Sequence, residues 1–248
     1  ATYSNETKLR PEGSDPVPAH VDWDKWLGTA PERPHKKEVY HPFAWRSWRD
    51  FGSGATGDFA CHIFDPVFSA IGVTAPTTIR SEAESYSDEV HPAWVQTEYL
   101  FPGTDMTAGK TIRGTWRDGG KQPSVEESPH LPKDYKLPAS GSMLIGEDGT
   151  MIIPHYDTPV LFPQEKFKNY PIPEMVTRNH YHEFVEASMG NGIAGANFDF
   201  AGPMTEAVLL SNVANRFPGQ TLEWDTDKLK FTNNRDATKL LKRRYRKG

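Results

Sequence analysis

The sequence is poor in several features that would settle a role at once. It holds one cysteine, Cys61, in 248 residues, which excludes an internal disulfide and a thiolate zinc cluster. No apolar run approaches the roughly 20 residues that a membrane-spanning helix needs. Positive charge is not in surplus. Against 33 Asp and Glu stand 28 Lys and Arg, for a net charge of −5, so nothing draws the chain to nucleic acid or an anionic membrane in general. Signatures of nucleophilic and phosphate-binding sites are missing: there is no G-x-S-x-G, H-E-x-x-H or P-loop, and no G-x-G-x-x-G that follows a strand. "GSGATG" (52–57) looks like the last of these. No strand precedes it, however, so it reads as room for close backbone approach where a helix starts. The chain opens Ala1-Thr2-Tyr3, without a start methionine or a visible signal peptide, as a processed or truncated polypeptide would.

What is present is globular. Hydrophobic residues make up 36%, charged residues 25% and aromatics 12%, the balance of a chain with a packed core. Residues 1–50 form an extended arm, broken by Pro11, Pro16, Pro18, Pro31, Pro34 and Pro42. It is rich in tryptophan: Trp23, Trp26, Trp45 and Trp48. These indoles either pack across the body or offer flat faces to a sugar ring. "VDWDKWLG" predicts two helical turns ending at Gly28.

Residues 51–248 read as one α+β domain. The segment 53–70 is predicted helical, with Ala55, Phe59, Ile63 and Val67 as its apolar row. Strands follow between 77 and 161, in "TTIRSEAES", "WVQTEYLF", "TIRGTWRD", "GSMLIGEDG" and "MIIPHY". Asp148-Gly149 marks a hairpin turn. No helices intervene, so the sheet is expected to be mostly antiparallel. The second and third of these strands carry apolar or aromatic groups on both faces, which predicts self-association through one sheet face. Further helices are expected at 178–190 and 203–217, the latter with Pro203 in its first turn. A short strand near 222 and a basic tail, read as a solvated charge cluster, end the chain.

The chemistry centres on "GDFACHIFD" (57–65). Asp58, His62 and Asp65 fall at i, i+4 and i+7, one side of a helix. Histidine carries protons near neutral pH, and a carboxylate beside it can hold a substrate hydroxyl. The plain alternative is a capping aspartate and a buried, satisfied histidine. A metal site on Asp58, His62 and Asp65, completed by His41 or His182, is a further option. Cys61 reads as buried and inert.

Three segments together carry a resemblance: "VPAHVDWDKWLGTAPERP", "YHPFAWRSWRDFGSGATGDFACHIFDPVF" and "NFDFAGPMTEAVLLSNVANR". They resemble the C-terminal domain of the Gfo/Idh/MocA oxidoreductases, in the group common in planctomycetes, from about Val17 to the final "RRYRKG". The resemblance implies a large, mainly antiparallel (mixed) sheet with helices on one face. It implies an N-terminal Rossmann domain for NAD or NADP that this chain lacks, so the chain alone is not expected to hold a dinucleotide in the family's manner. The family's D-x-x-x-H pattern falls on Asp58 and His62, making His62 the acid/base for a sugar hydroxyl and Asp58 its substrate-binding partner. Asp65 matches a further acidic position. Trp45, Arg46 and His182 are expected beside them, around one open cleft.

The expected function is therefore the catalytic half of an NAD(P)-dependent enzyme oxidising or reducing a sugar or cyclitol, as a homo-oligomer. An NAD-dependent glycosidase of the same family is the alternative, and so is a non-catalytic sugar-binding or assembly module. No resident metal, nucleic acid or membrane partner is expected. Cytoplasm and periplasm both stay open.

Overall fold

The computed structural model describes residues 1–3, 9–84, 87–171, 173–174 and 178–247. In the arm, α1 (Trp23–Leu27) starts where the Asp22 side chain accepts from the Lys25 N–H, and ends at Gly28 with φ +58°. A 3-10 turn, Ala44–Ser47, follows. The arm's rings bury one another. Trp23 stacks on Trp26 at 4.8 Å between centroids, and both touch Tyr40. Trp48, Val90 and Phe51 complete the cluster. Packing thus takes Trp23, Trp26 and Trp48.

The basic tail is largely solvated as expected, with Lys242, Arg243, Arg244 and Lys247 exposed, but two of its arginines also reach the arm. Arg246 donates to the Gly28 and Asp24 carbonyls and pairs with Asp24 and Glu32, while Arg243 donates to the Asp50 carbonyl at 2.7 Å. The open carbonyls at the end of a helix take cations readily, and the tail fastens the arm by that means.

The site-bearing helix is α2 (Gly54–Ile71). Gly54 has φ +68°, and a Cβ there would lie 2.6 Å from Cγ of His91, so the glycine-rich start does serve close approach. Pro66 lies inside the helix without ending it; Gly72, at φ +65°, ends it and donates its N–H to Phe68. The buried row is Ala55, Ala60, Ile63 and Phe68, with Phe59 and Val67 only half-buried. The packed stripe is therefore turned slightly from the predicted row.

After α2 come β1 (Thr78–Ala83), β2 (Val95–Pro102) and β3 (Thr111–Arg117), a meander of antiparallel neighbours. Next are β4 (Gly141–Ile145), β5 (Thr150–Pro154) and β6 (Val160–Phe162), then α3 (Gln164–Phe167), α4 (His180–Ser188) and α5 (Phe198–Ala214). The chain ends with β7 (Thr221–Asp225), β8 (Lys230–Phe231) and α6 (Arg235–Lys239). α5 carries the chain back so that β7 pairs with β1. The result is an α+β fold with a five-stranded sheet, β3-β2-β1-β7-β8, and a separate three-stranded sheet, β4-β5-β6. Every strand pairing among the described residues is antiparallel. The Asp148-Gly149 hairpin joins β4 to β5, with the Gly146 N–H donating to the Gly149 carbonyl.

α5 differs from its prediction. It starts five residues earlier, because the Asn197 side chain accepts from the N–H groups of Asp199 and Phe200. Such a cap supplies a partner to orphan donors. Pro203 therefore sits inside the helix, not in its first turn.

α2 and α5 cover one face of the five-stranded sheet. Ile79, Tyr99, Phe101, Trp116 and Leu222 of the sheet pack with Ala60, Ile63 and Phe68 of α2 and with Ala207, Val208 and Leu210 of α5. Burying each of the Ile, Leu, Val and Phe side chains among them stabilises by roughly 1.5–3 kcal/mol. A buried hydroxyl chain crosses the same interface: Ser81 to Thr97 at 2.8 Å, and Thr97 to Ser211 at 2.6 Å.

The opposite sheet face corrects the sequence reading. It presents Gln96, Glu98 and Leu100 from β2, and Thr111, Arg113 and Thr115 from β3. The apolar and aromatic residues of β2 and β3 all point to the helices, except Leu100 and Pro102, because the strand period of two sorts them. Exposed apolar groups gather instead on and after α4, at Tyr181, Phe184, Val185, Met189, Ile193 and Phe198. Among the described residues no helix is long and apolar enough to cross a membrane.

Candidate functional site

Two hydrogen bonds hold α2 on either side of its polar face. Two residues before Asp58, the Thr56 hydroxyl donates to the buried Asp118 carboxylate at 2.7 Å. One residue after His62, the Ile63 carbonyl accepts from Ser142 of β4 at 2.8 Å. Asn212 of α5 adds a bond to the Ser53 carbonyl at 2.6 Å. The helix therefore cannot roll without breaking contacts to β3, β4 and α5.

On this held face Asp58, His62 and Asp65 are all exposed. Arg46, from the 3-10 turn, brings its Nε to 3.5 Å from Asp58 Oδ2. Its guanidinium lies over the rings of Phe43 and Trp45, at 4.2 and 4.5 Å from their centroids. Tyr3 donates its hydroxyl to Asp58; burial first, and then the Asp58 charge, push the phenol up to about 12. Tyr3 also stacks on Phe59.

His62 looks the other way along the helix. Its ring is 5.9 Å from Phe59 and 5.8 Å from His155, which follows β5. His155 in turn stacks edge-on against Tyr156 at 3.9 Å. Burial, and then the nearby His62, lower the His155 pKa.

The structure thus brings together Trp45, Arg46, Asp58 and His62 of the expected set. It does so without a hydrogen bond between Asp58 and His62 among the described residues. Asp65 continues the same face one turn further on. His182 is exposed on α4, and no described contact joins it to α2. Cys61 is half-buried rather than fully buried, with its thiol pKa raised chiefly by burial. Among the described residues no three His, Cys, Asp or Glu side chains converge as a metal-holding group.

Asp58 and His62 stand on open surface. They line neither the cavity of about 540 Å³ beside the tail nor that of about 480 Å³ beside β3. Tyr3, Phe43, His155 and Tyr156 were not found by sequence reasoning. Nothing in their spacing points to α2, since they reach it only through tertiary packing.

Chemically, the patch offers an imidazole, a carboxylate with its cation, a phenol, and ring faces. That set suits a ligand carrying hydroxyls on a ring. No parallel βαβ unit with a glycine-rich loop is present among the described residues, so these residues do not form a dinucleotide cradle of that type.

Residues 2–111 match the family model described as "Oxidoreductase family, C-terminal alpha/beta domain". No curated protein matches the chain. Among solved structures, the crystal structure of an NAD-binding protein from Listeria innocua is similar in fold. The TM-score is 0.50 over 73% of this chain, at 13% identity, and the chain spans 55% of that protein's length. The family match runs from the arm to β2 and takes in Arg46, Asp58 and His62: this part of the chain is similar to the C-terminal alpha/beta domain of an oxidoreductase family.

Proposed function

We propose that this chain is the substrate-binding half of an NAD(P)-dependent oxidoreductase of the Gfo/Idh/MocA family, in its planctomycete-type group, acting on a sugar or cyclitol hydroxyl. The observation that supports this reading best is the pairing of His62 and Asp58 on one held, exposed face of α2, inside the segment that matches the oxidoreductase model. In this reading residues 51–248 are the domain body, and the arm of residues 1–50 brings Trp45 and Arg46 to the site.

The chain's own residues handle the proton half of the reaction. His62 takes the proton of the reacting hydroxyl, or returns it in the reverse direction. Asp58, oriented by Arg46 and Tyr3, accepts from a neighbouring hydroxyl. The rings of Trp45 and Phe43 give a face for the sugar's C–H side. NAD or NADP is held by a separate domain, whose docking over α2 would exclude water from the open patch. Self-association belongs to the same reading, but the outer sheet face, polar apart from Leu100 and Pro102, does not supply an apolar surface for it.

The test uses the intact protein that carries this domain, assayed for sugar-dependent reduction of NAD⁺ or NADP⁺. His62→Asn should lower kcat by roughly 10²–10⁴-fold, the usual share of a general acid or base, with cofactor affinity unchanged. Turnover equal to the parent's would overturn the assignment. Tight dinucleotide binding by residues 1–248 alone would overturn the division of labour.

A further inference from the structure

The two sheets end in edge strands that face each other across one groove. β3 is the edge of the five-stranded sheet and β4 the edge of the three-stranded one. A cavity of about 480 Å³ lies between residues 112–117 of β3 and residues 141–145 of β4, floored by Phe64, Val67, Phe68 and Ile71 of α2. Both strands lie over the same helix. Trp116 of β3 packs in the core with Phe68, and Ser142 of β4 donates to the Ile63 carbonyl.

The backbone of both rims points into this groove. In an extended strand, the N–H and C=O of one residue face one side and those of the next residue face the other. The Asp118 N–H donates to Val95, on the β2 side. Arg117, Thr115, Arg113 and Thr111 therefore direct their groups to the groove, and the Arg117 carbonyl accepts there from the Ala1 amine at 2.7 Å. On the other rim, the Ser140 carbonyl accepts from His155 and the Gly146 N–H donates to Gly149, both on the β5 side. Gly141, Met143 and Ile145 consequently face the groove. Among the described residues, none of these groove-facing groups other than the Arg117 carbonyl meets a backbone partner. Unpaired edges over an apolar floor are what an added strand pairs with.

Ala1 indicates the occupant. Its amine is on Arg117, where β3 ends, and the Thr2 N–H is 3.4 Å from Ser140 Oγ, just before β4 begins. Ala1 packs against the core, and Tyr3 stacks on Phe59, so both face α2.

We propose that the groove seats one further β-strand, about as long as the seven residues of β3, formed by polypeptide leading directly into Ala1. Such a strand runs parallel to β3 and antiparallel to β4. It joins the two sheets into one mixed sheet, with alternate side chains, starting two residues before Ala1, turned to α2. This inference rests on the groove and is independent of the oxidoreductase reading.

The test joins Lys-Val-Thr-Val-Lys-Val-Thr to Ala1, which places the valines on the α2 side. Hydrogen exchange of the backbone amides of Arg113, Thr115, Met143 and Ile145 is then compared with that of the unextended chain. Slowing by roughly 10²-fold or more on both rims is expected, as for amides that exchange only through local opening. The same extension with proline for each valine should give no slowing. Unchanged exchange, or slowing on one rim only, would overturn the proposal. So would slowing that disappears on dilution to the monomer, which would mean that a second copy fills the groove. Should the extended chain fail to fold, the free heptapeptide at millimolar concentration is read on the same amides of the unextended chain, with the same outcomes deciding.

Discussion

The imidazole of His155 stands 5.8 Å, centroid to centroid, from that of His62. The His155 N–H donates to the Ser140 carbonyl at 2.9 Å, so the β4–β5 hairpin sets the second histidine beside the first. Two imidazoles at this range resist being charged together. His155 should therefore titrate below the ordinary histidine value, by burial first and by His62 next. NMR titration of the two rings checks this. His62→Phe should move the His155 midpoint upward, and an unmoved midpoint would show that the pair is not coupled.

Asp118 is the fixed point under α2. Its buried carboxylate accepts from the Thr56 hydroxyl, the Trp116 indole and the Val95 N–H, at 2.7, 2.9 and 2.6 Å. Asp118→Ala leaves all three donors buried without an acceptor. Stability should fall by about 3 kcal/mol, since each orphaned group costs on the order of 1 kcal/mol or more. Urea unfolding measures it. A loss below about 1 kcal/mol would mean that the site relaxes or admits water.

Much of this fold was legible because local rules and packing agree. The strand period in "TTIRSEAES" and "WVQTEYLF", and the Asp148-Gly149 turn, specify β1, β2 and the β4–β5 hairpin without reference to anything distant. α5 was misread at its start, because Pro203 looked like a first-turn residue while the true signal was Asn197, whose side chain caps the helix. The division into two sheets was not legible: pairing between strands is decided by what lies between them, and nothing in "GSMLIGEDG" says which edge it will face. The same holds at the site. Asp58 and His62 could be paired by helical spacing, but His155 and Tyr3 come from elements remote in sequence, and only packing brings them to α2.

His91 makes acid stability testable. Burial, and then Arg49, lower its pKa to about 3. Its Nε2 meets the Gly52 carbonyl at 3.2 Å and its Nδ1 faces Arg49 at 3.5 Å, an arrangement for the neutral ring with Nε2 donating. The unfolded chain takes up this proton near pH 6.5. The contribution is thus fully present above that pH and is lost as pH falls toward about 3. Asp118 works in the opposite sense, because burial raises its pKa and the fold keeps its proton longer as pH rises. His91→Leu removes one contribution and leaves the other. Between pH 6 and 5, the stability of the parent should fall more steeply than that of the variant, by up to about 1.4 kcal/mol per pH unit. Parallel slopes in urea unfolding would remove His91 as the cause.

Arg46 separates holding the substrate from transforming it. Its guanidinium is shared between Asp58 and the faces of Phe43 and Trp45. The pair with Asp58 is half-exposed, so its worth to stability is within about 1 kcal/mol, and Arg46→Met, which keeps most of the stem, should fold as the parent does. In the proposed enzyme, Asp58 without its cation is free to turn, and the sugar loses an oriented acceptor in both the ground and the transition state. Such a uniform loss raises KM and leaves kcat nearly unchanged. A rise in KM of roughly tenfold, the effect of about 1.4 kcal/mol of binding, is expected from Arg46→Met. His62→Asn should do the reverse, lowering kcat with little change in KM. Steady-state kinetics on the two variants of the intact protein decide. A fall in kcat alone from Arg46→Met would move Arg46 from substrate positioning to the chemical step, and no change in either constant would take the Arg46–Asp58 pair out of the site.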